Sequence, residues 1–200
     1  MISLVLATRN AHKIEELRAM LADLPVEVLS FDDFPDLPDV VEDGATLEEN
    51  AAKKALEVAS FTGLPSLADD TGLSVDALGG APGIRSARYS GDDADAERNN
   101  AKLLRELAGV AHAGRSAAFR CAVALATPGG ETRVVVGETT GVILEVPRGE
   151  GGFGYDPLFL PEGHERTYAE MGPEEKNAVS HRGKAIRLAR GLVRDLARGA

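Results

Sequence analysis

The sequence predicts an α/β fold, built as one folding unit across its 200 residues. Three observations predict it. A short apolar run is followed at once by a segment with helical spacing, a capped amphipathic helix begins near residue 46, and apolar residues alternate beyond residue 116. At 44% hydrophobic content the chain can fill one well-cored domain, or one domain with two lobes, and no Ser/Gly-rich or Pro-rich linker divides it.

Taken in order, Ile2 to Ala7 reads as a buried first strand. A polar turn and a helix follow, with Ile14, Leu17, Leu21 and Leu24 at helical spacing. Pro25 to Val28 begins a second extended segment, and the acidic, Pro-containing stretch from Asp32 to Asp43 has no periodicity and reads as a loop. The capping box Thr46-x-x-Glu49 starts a helix that runs to about Thr62, where Gly63 and Pro65 stop it. From Ser66 to Leu78 the pattern favours extended chain interrupted near Asp69-Asp70, and Gly79 to Gly83 is a loop. A further helix spans Asp93 to Leu107. Two or three strands lie between Ala117 and Val146, with Thr127-Pro128-Gly129-Gly130 as a turn. The Gly-rich segment Gly149 to Asp156 leads to a closing helix with Ile186, Ala189, Leu192, Val193 and Leu196 on one stripe.

Composition narrows the partners. The formal net charge of −10 argues against broad nucleic-acid binding, which needs an extended basic surface. A compact polyanion needs only a local cluster of cations, with a divalent ion to offset nearby carboxylates. No segment has the length of a membrane span, and the N-terminus lacks a basic leader region. The single cysteine, Cys121, falls in the alternating run Ala117-Phe119-Cys121-Val123-Leu125 and reads as a core side chain in a reducing cytoplasm.

Cations stand in three places where helices do not want them. Asn10 is a natural N-cap, yet His12 and Lys13 fall in the first helical turn, against the macrodipole. An anion at that helix end would reverse the sign, and Thr8, Asn10, Lys13 and free backbone N–H groups together would cradle a phosphate. The competing reading is a solvated helix start. Lys54 projects from the stripe of Leu47, Ala51 and Val58, where a buried ammonium needs a partner: an anionic ligand or a structural carboxylate. Ser180-His181-Arg182-Gly183-Lys184 makes a second basic helix start, with Ser180 as N-cap and Lys176 just upstream. The complementary carboxylates are Asp69 and Asp70, at least one of which is expected to emerge at a strand end. Glu42 and Asp43 lie on the preceding loop. Hard oxygens of this kind suit magnesium, which binds through one or two carboxylates and substrate phosphates. A strand-end cap is the alternative.

Assembled, these segments resemble the inosine triphosphate pyrophosphatase family, also described as Ham1-like or XTP/dITP diphosphatases. The likeness rests on Leu-Ala-Thr-Arg-Asn-Ala-His-Lys at 6–13, Glu-Asn-Ala-Ala-Lys-Lys-Ala at 49–55, Ala-Asp-Asp-Thr-Gly-Leu at 68–73 and Leu-Gly-Gly-Ala-Pro-Gly-Ile at 78–84. Ser-Ala-Arg-Tyr-Ser-Gly at 86–91, Gly-Gly-Phe-Gly-Tyr-Asp-Pro at 151–157 and Glu-Lys-Asn-Ala-Val-Ser-His-Arg-Gly at 175–183 extend it. The resemblance implies an elongated mixed sheet with flanking helices, two lobes around a central nucleotide cleft, and a homodimer. By matching position it implies that Thr8, Asn10, Lys13 and Lys54 hold the triphosphate, that Asp70 is catalytic and metal-associated, and that Glu42 is a second metal ligand. It implies Asp69 as a further candidate ligand and Thr71 as a substrate contact. Phe153, Gly154, Tyr155, Asp156, Lys176, His181 and Arg182 match base-side and nucleotide-binding positions. Arg9 stands where some relatives carry glycine and receives no catalytic role.

The expected reaction is magnesium-dependent hydrolysis of ITP, dITP or XTP to the monophosphate and pyrophosphate, with Arg182, His181 or nearby backbone donating to the 6-oxygen of the base. Two alternatives stay open. One is a nucleotide-binding module without chemistry, the other a metal-dependent phosphatase that releases orthophosphate.

Overall fold

A computed structural model of the chain describes residues 2–93 and 95–199. Its strands are β1 (Ile2–Leu6), β2 (Val26–Leu29), β3 (Ser66–Val75), β4 (Pro82–Gly83), β5 (Ser116–Ala126), β6 (Thr132–Ile143) and β7 (Phe159–Pro161). Its α-helices are α1 (Ala11–Leu21), α2 (Leu47–Thr62), α3 (Ala96–Glu106), α4 (Pro173–Val179) and α5 (His181–Gly199). The strands form one mixed sheet in the order β2-β1-β3-β5-β6-β7, with β4 added to β3. β1 runs parallel to both β2 and β3, while β4 on β3 and β7 on β6 are antiparallel.

By internal contacts the chain forms two compact units. The first comprises the described residues through Asp70, Cys121–Gly137 and those from Arg182 onward; the second comprises Thr71–Arg120 and Glu138–His181. In the first unit the strands are buried on both faces, so their residues sort by parity. Leu4, Leu6, Leu67, Cys121, Val123 and Leu125 pack with Leu17 and Leu21 of α1 and Ala185, Ile186, Ala189 and Val193 of α5. Val5, Ala7, Ala68, Ala122, Ala124 and Ala126 face the other way, onto Leu47, Ala51, Ala55, Val58 and Ala59 of α2. The run of alanines lets α2 lie close to the sheet. The second unit gathers Leu73, Val75, Leu103, Leu107, Phe119, Ile143, Phe159 and Tyr168 into a core of its own, with the Phe119 and Phe159 rings edge to face at 4.8 Å.

Several boundaries differ from expectation for identifiable reasons. β3 runs unbroken through Asp69 and Asp70, so neither aspartate marks a strand end. The interruption expected there does not occur because each carboxylate meets cations or an amide on its own face of the sheet. The α2 cap is half as drawn: Thr46 accepts from Glu49 N, but the Glu49 carboxylate accepts from Ala45 N rather than from the cap residue. Gly63 ends the helix in the left-handed region at φ 69°, as a C-terminal glycine does. α3 starts at Ala96 behind the cap Asp95, and a 3-10 turn over Phe31–Asp33 leads into the stretch read as a loop. Between Ala117 and Val146 lie two strands, β5 and β6, within the two or three expected.

Candidate active site

Two adjacent aspartates on β3, Asp69 and Asp70, are sent by strand geometry to opposite faces of the sheet. Asp69 follows the parity of Leu67 toward α1 and α5 and is fully buried. Its Oδ2 accepts from Lys13 Nζ at 2.9 Å and from Arg182 Nε and Nη2, each at 3.3 Å. Arg182 Nη1 reaches past it to Glu16 Oε2 at 2.7 Å. Burial alone would push the Asp69 carboxyl up, but Lys13, Arg182 and Lys54 outweigh it and hold the group well below the usual carboxylate range. Buried as it is, Arg182 is likewise kept charged by Asp69 and Glu16. The basic starts of α1 and α5 are thus answered in part from within the protein, by Asp69.

Asp70 follows the parity of Ala68 toward α2. Asn50 Nδ2 donates to its Oδ2 at 3.1 Å, and Lys54 Nζ stands 3.9 Å from its Oδ1. Burial raises its carboxyl above the ordinary value, with the nearby Glu42 charge adding to that, and Lys54 and Lys13 only partly offset the rise. Lys54 occupies the buried stripe where its spacing put it. It donates to Glu42 Oε1 at 2.5 Å and to the Asp69 carbonyl at 2.8 Å. The three carboxylates Asp70, Asp69 and Glu42 overcome its desolvation and raise its pKa. Glu42 arrives on a loop pinned at three points: Arg9 to Asp39 at 2.6 Å, Lys53 to Asp43 at 2.6 Å, and Glu42 itself on Lys54. Arg9 also lies over the Phe31 ring. Its work is to staple that loop.

At the head of α1, Asn10 caps the helix by accepting from Lys13 N, and Thr8 Oγ1 accepts from Asn10 N. Both residues shape the turn that presents Lys13. Thr71, next along β3, is half-buried.

The second unit holds the remaining expected residues. Asp156 is buried and its Oδ2 accepts from Phe153 N at 2.8 Å and from Lys176 Nζ at 2.7 Å. Lys176, equally buried, lies 4.7 Å from the centre of the Phe153 ring. Gly152 has φ +71°, and a Cβ there would run into the Asp156 carboxylate, so glycine is required. Tyr155 spends its hydroxyl on the Ser86 carbonyl at 2.8 Å, and burial raises its pKa. His181 stacks on Phe119 with centroids 4.5 Å apart and planes 8° from parallel. Asn100 of α3 donates to the Gly154 carbonyl at 2.9 Å.

The chain as a whole has known relatives. The family model described as the Ham1 family matches residues 4–191. The chain belongs to the Ham1 family. Among curated Ham1 relatives, the dITP/XTP pyrophosphatase of Geobacter sulfurreducens is 58% identical over 188 residues, 94% of either chain. That of Streptomyces coelicolor is 54% identical over 198 residues, covering 98% of this chain and 99% of the relative. A solved HAM1 protein from Coxiella burnetii superposes with a TM-score of 0.89 at 41% identity, over 98% of this chain and all of the other. The Staphylococcus aureus Ham1 protein gives 0.85 at 37% identity, over 96% and 97%.

Within this Ham1 chain the first unit brings together Lys13, Lys54, Asp69, Asp70, Glu42 and Arg182. The second brings together Phe153, Gly154, Tyr155, Asp156, Lys176 and His181. Among the described residues no group of three or more His, Cys, Asp or Glu side chains is arranged to hold a metal, and Asp70 and Glu42 are the carboxylate pair that flanks Lys54. Sequence reasoning missed three polar residues. Asn50 sits on the same α2 stripe as Leu47, Ala51 and Lys54, so a second buried polar residue was there to be noticed. Glu16, three residues after Lys13 on α1, and Asn100, inside α3, gave no signal beyond ordinary helix polarity.

Proposed function

We propose that the chain hydrolyses non-standard purine nucleoside triphosphates, namely ITP, dITP and XTP, to the monophosphate and pyrophosphate. The observation that carries the reading is Asp70, a carboxylate buried in mid-strand, raised above its ordinary range and faced by Lys54, Glu42 and Asn50. A base whose pKa is lifted toward the working pH is well suited to take a proton from attacking water. The names of the Geobacter and Streptomyces relatives supply the substrate class.

Lys13 and Lys54, shaped by Thr8 and Asn10 and joined by Thr71, are assigned to the phosphate chain. Their ammonium groups would stabilise charge as pyrophosphate leaves. Each of Lys13, Lys54 and Arg182 already meets a carboxylate, from among Asp69, Asp70, Glu42 and Glu16. The hard oxygens of Asp70 and Glu42 suit magnesium, which would neutralise phosphate charge when bound.

On the base side we assign direct contact to the Phe153 ring and the Gly154 backbone, with Tyr155, Asp156, Lys176 and His181 holding that segment in shape. A backbone N–H there would donate to a 6-oxygen and leave the amino group of adenine mismatched. Arg182 is assigned to the phosphate side through its pairing with Asp69. The family resemblance also supports a homodimer acting in the cytoplasm; sedimentation velocity tests the dimer.

The decisive experiment incubates the protein and magnesium with ITP, XTP, dITP, ATP and GTP and separates the products. Monophosphate and pyrophosphate from the first three are expected. Orthophosphate as the initial product, or no turnover, would overturn the assignment in favour of a phosphatase or a non-catalytic module.

A further inference from the structure

The Asp69 Oδ2 atom is oversubscribed. One oxygen accepts from Lys13 at 2.9 Å and from two nitrogens of Arg182 at 3.3 Å, so the two cations compete for it. Lys13 holds the shorter contact although Arg182 is a planar fork suited to closing on a carboxylate in bidentate fashion. The third guanidinium nitrogen, Nη1, is held by Glu16 Oε2 at 2.7 Å. Glu16 and Lys13 are three residues apart on α1 and so share a helix face. The same helix therefore carries both the ammonium and the carboxylate that restrains its rival.

We propose that Glu16 is a positioning residue: by holding Arg182 Nη1 it keeps the guanidinium at the longer contacts, preserves the short Lys13 contact to Asp69 Oδ2, and so sets the Lys13 ammonium for a phosphate chain. This inference rests on the assignment of Lys13 to phosphates in the proposed function. Without Glu16, Arg182 closes onto Asp69, and Lys13 loses its short contact and its orientation.

A double-mutant cycle tests it, read by calorimetric titration of inorganic pyrophosphate with magnesium into wild type, Glu16→Gln, Lys13→Met and the double variant. Each single change is expected to weaken binding about tenfold, and the double variant to bind no worse than Lys13→Met. Wild-type affinity in Glu16→Gln overturns the proposal, and so do losses that multiply in the double variant. Glu16→Asp, which keeps the charge on a shorter arm, is expected to fall between wild type and Glu16→Gln. It also replaces Glu16→Gln in the cycle if that variant does not fold, and wild-type affinity there is then the overturning result. A protein that shows the coupled loss of pyrophosphate binding yet fails to hydrolyse dITP would sink the proposed reaction and leave the role of Glu16 standing.

Discussion

The Asp69–Asp70 region of the first unit and the Phe153–Lys176 region of the second use buried charge in opposite ways. Around Asp156, Oδ2 accepts from the Lys176 ammonium at 2.7 Å and from the Phe153 backbone N–H, and the same ammonium lies against the Phe153 ring. Around the aspartate pair, oxygens are shared, Lys54 is divided between Glu42 and the β3 backbone, and Asp70 keeps a raised carboxyl. The Asp156–Lys176 pair braces a loop, whereas the aspartate pair gathers several cations and carboxylates about one raised carboxyl. Burial of charge does not by itself mark chemistry; a perturbed carboxyl among shared cations is the better guide.

The comparison can be broken at several points. The largest expected effect is on turnover in Asp70→Asn, which should fall about 10³-fold with dITP as substrate while thermal stability holds or rises. A variant that keeps near-normal turnover would remove Asp70 from the mechanism. Asp69→Asn should instead cost about 3–5 kcal/mol in denaturant unfolding, because Lys13 and Arg182 lose the anion they share. In the second unit, Lys176→Met strands the buried Asp156 and should cost about 3 kcal/mol, with any loss of turnover following loss of folded protein at the assay temperature. If Lys176→Met stays fully folded but inactive, the Asp156 region does more than build shape.

The smallest effect is the pH dependence of stability. Asp70 has its carboxyl raised in the folded state, so the folded protein binds that proton more tightly than the unfolded chain does. Stability from this site is present at acid pH and is lost as pH climbs through the raised value. The melting temperature of wild type should therefore drop relative to Asp70→Asn as pH rises from the ordinary carboxylate range toward neutrality. A constant gap between the two proteins would show that Asp70 is not perturbed. Asp69 has the opposite sign: its contribution is present above the ordinary carboxylate range and is lost only in strong acid.

Much of the fold was legible because its signals are local. The opening strand and helix, the Asn10 cap, the stop at Gly63 and the stripe on α5 depend on neighbours in sequence, and each appears where spacing put it, though α1 ends at Leu21 and Leu24 joins the core from beyond it. Lys54 was legible for the same reason. The continuity of β3 was not, since an Asp-Asp pair inside a strand is costly until one knows that Lys13, Arg182, Lys54 and Asn50 wait on the two faces. Nor could sequence spacing tell that Tyr155 and His181 spend their polar or aromatic surfaces inside the second unit, on Ser86 and Phe119. Those partners lie 69 residues away for Tyr155 and on β5 for His181, beyond any local pattern.

The pairing of Asp69 with Arg182 joins residues 113 apart in the chain. A ribosome makes the aspartate long before the guanidinium that shares it, at roughly 5–20 residues per second. For that interval β1, β3 and α1 also lack Ala185, Ile186, Ala189 and Val193, the α5 side chains that cover their shared face. Hydrophobic closure and charge balance of the first unit thus arrive together, with one helix. A nascent or prematurely terminated chain ending before α5 would expose that face and lack the Arg182 partner of Asp69, so the core and the buried charge of the first unit wait on the same late segment.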